Sequence, residues 1–390
     1  MTQGEFVEKR SSMRFLKEPL LSHLDIELTE RCNNACLQCY INRPANDAGA
    51  KQHELSTADW QGILRQAADL GALSVRFTGG EPLLREDFID LYLSARRLGL
   101  KVTLFTNARL ITSEIARMFA RTPPLEQVEV TVYGMRPESY DAAACAPGSY
   151  NQFRQGVQHL IDNNVPFILK GALLPQNKMD VQAFDTWAAS IPWMEDLPTY
   201  SMFFDLRARR DSEARNRMID RLRMAPEEGV AFIDQRIPAY RQDTEQFCSR
   251  FMGPAGESLF TCGAGKGGCV DAYGLYQPCM LLRDPDMTYA LHTGSLRDAL
   301  TNFFPRLRDI KATNPLYLER CARCFLHGLC EQCPAKSWME HGTLDTPVEY
   351  LCQVAHAKAR YLGLLRDGER AWEVQDWRQR LSQLSKVETQ

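Results

Sequence analysis

Three cysteines lie close together near the start of the chain, in the stretch TERCNNACLQCYIN at residues 29–42. Cys32, Cys36 and Cys39 form a CxxxCxxC motif. A 4Fe-4S cluster normally takes four thiolates, one for each iron, so a motif of three would leave one iron without a protein ligand. An open coordination position is what a metal needs for chemistry on a substrate. The alternative from this motif alone is a partial zinc site that borrows a distant fourth ligand, or a chance arrangement.

A second set of eight cysteines follows after residue 260, and eight are enough for two sites of four ligands each. Four of them stand in CARCFLHGLCEQC, a spacing that is also compatible with a zinc ribbon. The set comprises Cys262, Cys269, Cys279, Cys321, Cys324, Cys330, Cys333 and Cys352.

The composition is that of an ordinary folded protein, with 390 residues, 44% hydrophobic and 24% charged, and a net charge of −3. This balance favours neither nucleic acid nor an anionic membrane surface as a partner. The N-terminus lacks the apolar stretch of a secretory signal, and no window of about 18 apolar residues indicates a membrane span. We therefore predict a cytoplasmic protein, whose thiols are kept reduced and serve as metal ligands rather than disulfides.

Six short apolar or β-branched runs alternate with segments of helical spacing, which predicts an α/β fold with a parallel sheet. The runs are HLDIELT at 23, SVRFTGG at 74, KVTLFTNA at 101, VEVTVYG at 128, PFILKGALL at 166 and TYSMFFDL at 199. Six units are fewer than the eight of a complete barrel, so we predict a partial (β/α)6 TIM-like barrel over residues 21–240 after an N-terminal arm at 1–20. Glycine and cysteine then replace the periodic segments. This change predicts a small cysteine-rich domain organised around metal at 241–360, which the resemblance given below makes an iron-sulfur domain, followed by a C-terminal helix at 361–390.

Two segments at predicted strand ends bear on the first motif. TGGEP, residues 78–82, follows the second run, and its glycines permit close approach of the backbone to a ligand. Asn107 follows the third run. The C-terminal ends of the strands are where barrels of this kind place their active sites.

A CxxxCxxC motif after the first strand and a GGEP segment after the second resemble the radical SAM superfamily. The resemblance implies that S-adenosylmethionine (SAM) chelates the open iron of a 4Fe-4S cluster, and that its reductive cleavage gives a 5′-deoxyadenosyl radical that abstracts hydrogen from a substrate. The implied cluster ligands are Cys32, Cys36 and Cys39. The residues implied to lie beside the methionine moiety are Gly79, Gly80, Glu81 and Pro82.

Contacts to the adenine are predicted less directly. Members of the superfamily often have an aromatic residue just before the third cysteine, whereas this chain has Gln38 there and Tyr40 just after it. Tyr40, Asn107 and Thr131 are the candidates for further contacts to SAM. Asn107 and Thr131 lie near predicted strand ends and are equally well explained as capping or turn residues.

The later cysteines resemble the SPASM extension of radical SAM enzymes, which carries two auxiliary 4Fe-4S clusters. One departure is that two residues, Glu331 and Gln332, separate a pair of cysteines where three are usual. The implied ligands of the nearer auxiliary cluster are Cys262, Cys269, Cys279 and Cys333, with Cys248 as the alternative to Cys269. Those of the farther cluster are Cys321, Cys324, Cys330 and Cys352. With the first motif, the resemblance implies three 4Fe-4S clusters.

No catalytic residue is identified from the sequence, and the candidates are Lys170, Asp205 and Cys248. Lys170 and Asp205 stand on the fifth and sixth runs and could face the barrel interior, but a structural ion pair explains each equally well. Cys248 is a candidate as a substrate-facing thiol. The arginine-rich segment at 207–223 could meet an acidic substrate, but a solvated helix face with internal ion pairs is the favoured interpretation.

The resemblance implies a peptide or protein substrate, because SPASM enzymes mostly modify peptides or proteins. It also implies an electron donor such as flavodoxin or ferredoxin. Only about twenty residues precede the predicted barrel, where many members have a leader-binding domain, so we expect a separate leader-binding protein or no leader. The alternative enzyme is one that oxidises or rearranges a small molecule or cofactor precursor, and the alternative of another class is a zinc-binding adaptor.

Overall fold

The computed structural model describes residues 20–384, through which a nine-stranded sheet runs in the order β11-β10-β9-β1-β4-β5-β6-β7-β8. A separate short ladder joins β2 to β3. The strands are β1 His23–Thr29, β2 Arg31–Cys32, β3 Arg43–Pro44, β4 Ser74–Gly79, β5 Lys101–Thr106, β6 Leu125–Val132, β7 Phe167–Ala172, β8 Thr199–Ser201, β9 Cys269–Val270, β10 Leu275–Gln277 and β11 Tyr289–Ala290. Residues 1–19 of the predicted N-terminal arm and residues 385–390 of the predicted C-terminal helix lie outside the described residues.

Six of the strands, β1 and β4 to β8, run parallel to their neighbours, and at least one helix follows each of them. The predicted α/β fold with six strand-helix units is therefore confirmed, and we call this part the partial barrel. Its helices are α1 Ala48–His53, α2 Thr57–Asp69, α3 Phe88–Arg97, α4 Ser113–Arg121, α5 Pro137–Ala144, α6 Ser149–Asp162, α7 Val181–Ala188, α8 Glu213–Leu222 and α9 Pro226–Arg236.

The two faces of the parallel sheet differ in chemistry because successive side chains of a strand point to opposite sides. On β1, Leu24 and Ile26 are fully buried in a core that also contains Trp60 of α2. Asp25 and Glu27 alternate with them and face the polar side of the sheet. The helices thus cover the apolar face, and the polar face is left for the site.

The cysteine-rich region continues the same sheet. The backbone of β9 pairs with β1, and β10 and β11 follow as antiparallel strands. Three of its described helices have only three to five residues, and the π-helical turn Ala299–Phe303 links two of these short helices. The helices of this region are α10 Tyr240–Phe251, α11 Leu296–Asp298, α12 Phe304–Leu307, α13 Pro315–Glu319, α14 Pro334–His341, α15 Glu349–Tyr361 and α16 Trp377–Leu384.

A second apolar cluster lies under the C-terminal helices, apart from the core of the partial barrel. Phe325 and Leu326 are fully buried in it, together with Ala359 of α15. Trp377 of α16 stacks on Phe325 at 5.8 Å between ring centroids. Among residues 20–384, no helix is long and apolar enough to cross a membrane.

Candidate functional site

The CxxxCxxC motif forms a loop directly after β1, at the C-terminal ends of the parallel strands. Cys32 and Cys36 are buried and Cys39 is half-buried. The Asn34 N–H donates to Cys32 Sγ at 3.4 Å, and the Asn42 N–H donates to Cys39 Sγ at 3.4 Å. Burial, and then the neighbouring cysteine thiolates, raise the pKa of the Cys32 thiol and raise the pKa of Cys36 to about 12. Thiolates that are buried and repel one another need a cation, so this loop fits an iron-sulfur cluster.

The TGGEP segment holds this loop through its backbone. The Gly80 N–H donates to the Thr29 carbonyl at 2.7 Å, and the Glu81 N–H donates to the Arg31 carbonyl at 2.9 Å. A Cβ on Gly79 would lie 2.2 Å from the Thr29 oxygen, and one on Gly80 would lie 2.2 Å from the Arg31 oxygen. Glycine is therefore required here because the TGGEP backbone packs against the chain that enters the cysteine loop. The sequence analysis had instead explained these glycines by close approach of the backbone to a ligand.

Glu81 joins two strand ends from inside the protein. Its fully buried carboxylate accepts hydrogen bonds from Thr106 Oγ1 at 2.9 Å, the Asn107 N–H at 2.9 Å and the Leu83 N–H at 3.2 Å. Burial raises the pKa of Glu81 to about 7. The carboxylate thereby fixes the end of β5 against the turn that begins at Pro82.

Asn107 brings the end of β5 to the cysteine loop. Its Nδ2 donates to Asn33 Oδ1 at 2.7 Å and lies 3.8 Å from Cys32 Sγ. Arg109, which the sequence reasoning did not single out, donates to Asn34 Oδ1 at 2.5 Å. The sequence signal that could have identified Arg109 is its position two residues after Asn107, in the same loop at the end of β5.

Two arginines from the 207–223 segment also hold the cysteine loop. Arg207, which is 4% exposed, donates from Nη1 to the Cys39 carbonyl at 3.2 Å. Arg215 donates from Nη2 to the Cys36 carbonyl at 2.8 Å. The prediction of a solvated helix face is wrong for these side chains, because they turn inward and bond carbonyl groups more than 160 residues away in the chain.

Tyr40, the aromatic candidate for an adenine contact, lies in a buried charged group. Burial, and then the Glu27 carboxylate, raise the pKa of Tyr40 well above its ordinary value, while the Arg283 guanidinium lowers it. Arg283 Nη2 donates to both oxygens of Glu27 at 2.5 and 2.6 Å. Tyr40 therefore faces the junction between the partial barrel and the cysteine-rich region.

Thr131 and Lys170 are neighbours across β6 and β7, where their Cα atoms are in register. Lys170 Nζ lies 2.6 Å from Glu129 Oε2 and 5.4 Å from the centre of the Phe105 ring. The lysine side chain is 42% exposed, so it has both an ion-pair partner and access to solvent.

Asp205 and Cys248, the other two candidates, lie apart from each other and from Lys170's ion pair. Asp205 Oδ1 is 3.2 Å from Lys336 Nζ of α14, and this pair links the loop after β8 to the cysteine-rich region. Cys248 is fully buried on α10 in the cluster around Phe325, where burial raises its pKa to about 12. That placement is typical of a core thiol and argues against both roles considered for Cys248.

The four cysteines of the farther group come together. They line one cavity, and burial followed by the other thiolates raises the pKa of the first two to about 12. The group consists of Cys321, Cys324, Cys330 and Cys352.

N–H groups surround the sulfurs of this farther group. The Gln332 N–H donates to Cys330 Sγ at 3.5 Å, and Arg320 Nη2 donates to Cys352 Sγ at 3.8 Å. His356 Nε2 accepts from the Ala371 N–H at 3.2 Å, so a neutral imidazole carries its hydrogen on Nδ1. That Nδ1–H donates to the Cys352 carbonyl at 2.8 Å, and Cys352 Sγ lies farther away, at 3.6 Å. N–H donors to sulfur stabilise thiolates that are bound to iron.

The nearer group is incomplete. Cys262 and Cys333 line one hollow. Burial raises the pKa of both Cys333 and Cys279, and a smaller contribution comes from the Cys279 thiolate for Cys333 and from the Cys262 thiolate for Cys279. Cys269 is fully buried in β9, and its main charged neighbours are Glu27 and Arg283. The structure thus brings three of the four implied ligands together and places Cys269 elsewhere.

Within residues 20–384, no three cysteine, histidine or carboxylate side chains converge as the ligands of a single metal ion would. The cysteines form wider groups. A 4Fe-4S cluster distributes its thiolates over separate irons, so groups of this kind are compatible with clusters.

The sequence was compared with known protein families and curated proteins. Residues 26–188 match the Radical SAM superfamily. A PqqA peptide cyclase of Rhizobium meliloti (strain 1021) is 35% identical over 156 residues, which are 40% of this chain and 40% of that protein. A PqqA peptide cyclase of Xanthomonas axonopodis pv. citri (strain 306) is 34% identical over 159 residues, or 41% of each chain. The matched part thus spans about 40% of the length of these curated relatives.

Solved structures match over more of the chain. SuiB of Streptococcus suis bound to S-adenosylmethionine has a TM-score of 0.61 at 18% identity, covering 90% of this chain and 80% of SuiB. Native anSMEcpe with bound AdoMet has a TM-score of 0.61 at 14% identity, covering 94% of this chain and 99% of that one. At these identities the likeness shows a shared fold. The family match covers the cysteine loop, TGGEP and Asn107, so the similarity to the radical SAM superfamily lies in the segment that contains the candidate site.

Proposed function

We propose that this chain is a radical SAM enzyme that modifies a peptide or protein substrate. The observation that carries the proposal is the meeting of three strand ends inside the family-matched segment. There the buried three-cysteine loop is bonded to the TGGEP backbone and to Asn107. Three thiolates on a protein-organised loop leave one iron for a second ligand.

In this proposal the protein holds both cofactors at the polar end of the partial barrel. Cys32, Cys36 and Cys39 bind a 4Fe-4S cluster. The backbone of Gly79, Gly80, Glu81 and Pro82 borders the methionine end of SAM, and the side chains proposed for its remaining contacts are Tyr40, Asn107 and Thr131. The bound cofactors supply hydrogen abstraction by a carbon radical, while the chain orients the target bond and excludes water.

The farther group of Cys321, Cys324, Cys330 and Cys352 is proposed to hold an auxiliary 4Fe-4S cluster. The shared cavity and the N–H donors of Arg320 and Gln332 support this assignment. A second auxiliary cluster is proposed at the nearer group. An electron donor such as flavodoxin or ferredoxin supplies the electrons that reductive cleavage of SAM consumes.

A peptide or protein substrate is proposed on the strength of the similar proteins. The curated relatives are PqqA peptide cyclases, and similar folds are found in SuiB bound to precursor peptide SuiA and in anSMEcpe bound to the Cp18Cys peptide. The proposal includes a separate leader-binding protein as a third component.

Anaerobic reconstitution with iron and sulfide, followed by dithionite and SAM, tests the radical chemistry. We expect release of 5′-deoxyadenosine by the parent chain and none by Cys36→Ala. Cys145→Ala is the matched control because Cys145 is an exposed thiol outside the three cysteine groups, and we expect it to retain parent activity. Undiminished cleavage by Cys36→Ala, or a chain that binds zinc and no sulfide, would overturn the proposal.

The substrate is tested separately by incubating the active enzyme with short peptides encoded beside its gene. We expect one of them to lose two hydrogens, or a multiple of two, as measured by mass spectrometry with fragment ions locating the change. SAM cleavage that leaves every peptide unchanged, but converts a small molecule in a cell extract, would refute the peptide substrate and leave the radical chemistry intact.

A further inference from the structure

Cys269, the fourth cysteine implied for the nearer auxiliary cluster, is locked in the sheet. Its backbone pairs with Asp25 of β1 on one side and with Gln277 of β10 on the other. Gly268, just before it, packs so tightly that a Cβ there would lie 2.3 Å from the Gln277 carbonyl oxygen. Moving the backbone of Cys269 toward the other cysteines would therefore break the strand pairing on both sides.

The surroundings of Cys269 point the same way. Its side chain is fully buried, and the Glu27 carboxylate and the Arg283 guanidinium beside it are 0% and 1% exposed. These two groups are bonded to each other. A cluster at Cys269 would have to displace a buried ion pair, which is costly because either charge would lose its partner.

Cys262 and Cys333 instead share the hollow described above, which we call the Cys262 hollow. Its lining includes two further side chains with metal-ligating atoms, His327 and Glu331, and also Cys330 of the farther group. His327 lies between the two groups, because it lines the cavity of the farther group as well, but that group already has four cysteines. The Glu331 carboxylate is engaged by Lys336 at 2.7 Å and by Lys358 at 3.9 Å. Among the described residues, the hydrogen-bond partner of His327 Nε2 is a neutral hydroxyl, Thr261 Oγ1 at 3.3 Å, and Thr261 is the residue before Cys262.

We propose that the nearer auxiliary cluster is held by Cys262, Cys279, Cys333 and His327, and that Cys269 is not a ligand. A neutral imidazole nitrogen is an established ligand of iron-sulfur clusters. Ligation requires His327 to exchange one hydroxyl contact for iron, whereas ligation by Cys269 requires the sheet to open. This inference rests on the proposed function, because the cluster itself comes from there.

Iron and sulfide analysis of reconstituted full-length variants tests which cysteines are ligands. We expect Cys269→Ser to retain the iron content of the parent chain and Cys262→Ser to lose the iron of one cluster. The Cys269→Ser change is nearly isosteric, and retained release of 5′-deoxyadenosine shows that this variant is folded. Loss of one cluster from Cys269→Ser, or full iron in Cys262→Ser, would overturn the assignment.

The histidine is tested by pulsed EPR on reduced protein in which only the histidines carry ¹⁵N. A Cys32→Ala, Cys36→Ala, Cys39→Ala background removes the signal of the first cluster. We expect a directly bonded nitrogen coupling that disappears in His327→Cys while the iron content is kept. His356, which lies near Cys352 of the farther group, is present in both samples, so the difference isolates His327.

An identical nitrogen signal in His327→Cys, or no such coupling in the chain with native His327, would overturn the histidine assignment. Failure of the proposed iron-sulfur chemistry has a different signature, because the parent chain would then bind no iron and sulfide at all.

Discussion

The cysteine loop after β1 and the cysteine-rich region after residue 240 reach their sites by different means. The loop is held by protein groups from distant elements, including Asn107, Arg207 and Arg215. The later region has strands of two or three residues, several helices of three to five residues, and an exposed Cys262. Short strands and helices are marginal alone. The first site is thus organised by the fold, whereas the second depends on what its cysteines bind.

Removing iron should separate the two regions most strongly. Without metal, we expect the cysteine-rich region to lose its order while the partial barrel stays folded, because a structural metal site contributes its binding free energy to folding. Limited proteolysis with mass spectrometry of iron-free and reconstituted chains measures this. Iron-dependent cleavage confined to residues 241–360 would support the contrast, and iron-dependent cleavage throughout 21–240 would break it.

A methyl group at Gly80 should damage the protein-organised loop selectively. A Cβ there meets backbone oxygens of Arg31 at 2.2 Å and Glu30 at 2.6 Å. We expect Gly80→Ala to lower the free energy of unfolding by about 1–3 kcal/mol and to lose the iron of the first cluster only. Gly62→Ala on α2, with nothing closer than a side-chain atom at 3.9 Å, is the control and should be neutral or slightly stabilising. Equal iron in the two variants would contradict this prediction.

Removing Arg207 should weaken the same loop. The guanidinium also pairs with Asp211 at 2.9 Å, so Arg207→Ala leaves a carboxylate and two backbone carbonyls without their donor. We expect a loss of about 3 kcal/mol in urea unfolding. Arg217→Ala, on an exposed position of α8, should stay within about 0.5 kcal/mol of the parent chain. A loss as small as that of the control would show that the loop does not depend on this arginine.

The smallest expected effect is the change with pH in the contribution of Glu81 to the free energy of unfolding. The pKa of Glu81 is about 7 in the folded chain, above its ordinary value, so its contribution to stability is present below pH 4.5 and is lost as the pH rises through 7. Glu81→Gln does not titrate. The unfolding free energy of Glu81→Gln relative to the parent chain should therefore rise between pH 4.5 and 7.

The exposed Glu114→Gln change is the control for this titration, and its difference from the parent chain should stay constant across the same pH range. A constant difference for Glu81→Gln as well would show that the buried carboxyl does not titrate as described.

Much of the fold was predictable because parallel strands are continuous apolar runs. The run HLDIELT coincides with β1, and KVTLFT with β5. The run TYSMFFDL gives a strand only at Thr199–Ser201, since an edge strand has one neighbour to extend it. The pairing of β9 with β1 was not predictable. The two-residue strand β9 is more than 200 residues from β1 along the chain, and so short a segment has no recognisable strand pattern.

The candidate site was predictable where a motif is local and missed where it is not. Cys32, Cys36 and Cys39 do lie together, and so do the cysteines of the farther group. The inward-turned arginines were missed because charge patterns do not show which way a side chain turns. Cys269 was assigned to the nearer group by carrying over the ligand arrangement of the SPASM extension, which gives no information on the pairing of β9 with β1 that fixes the backbone of Cys269.

The pairing of β9 with β1 has a consequence for synthesis. Until β9 is made, β1 has a bare backbone edge on the side away from β4, and such edges are templates for association with other chains. At ribosomal rates of about 5–20 residues per second, the edge of β1 stays unpaired for on the order of tens of seconds before β9 is synthesised. A nascent or truncated chain ending near residue 240 is therefore expected to be aggregation-prone, even with its apolar core intact.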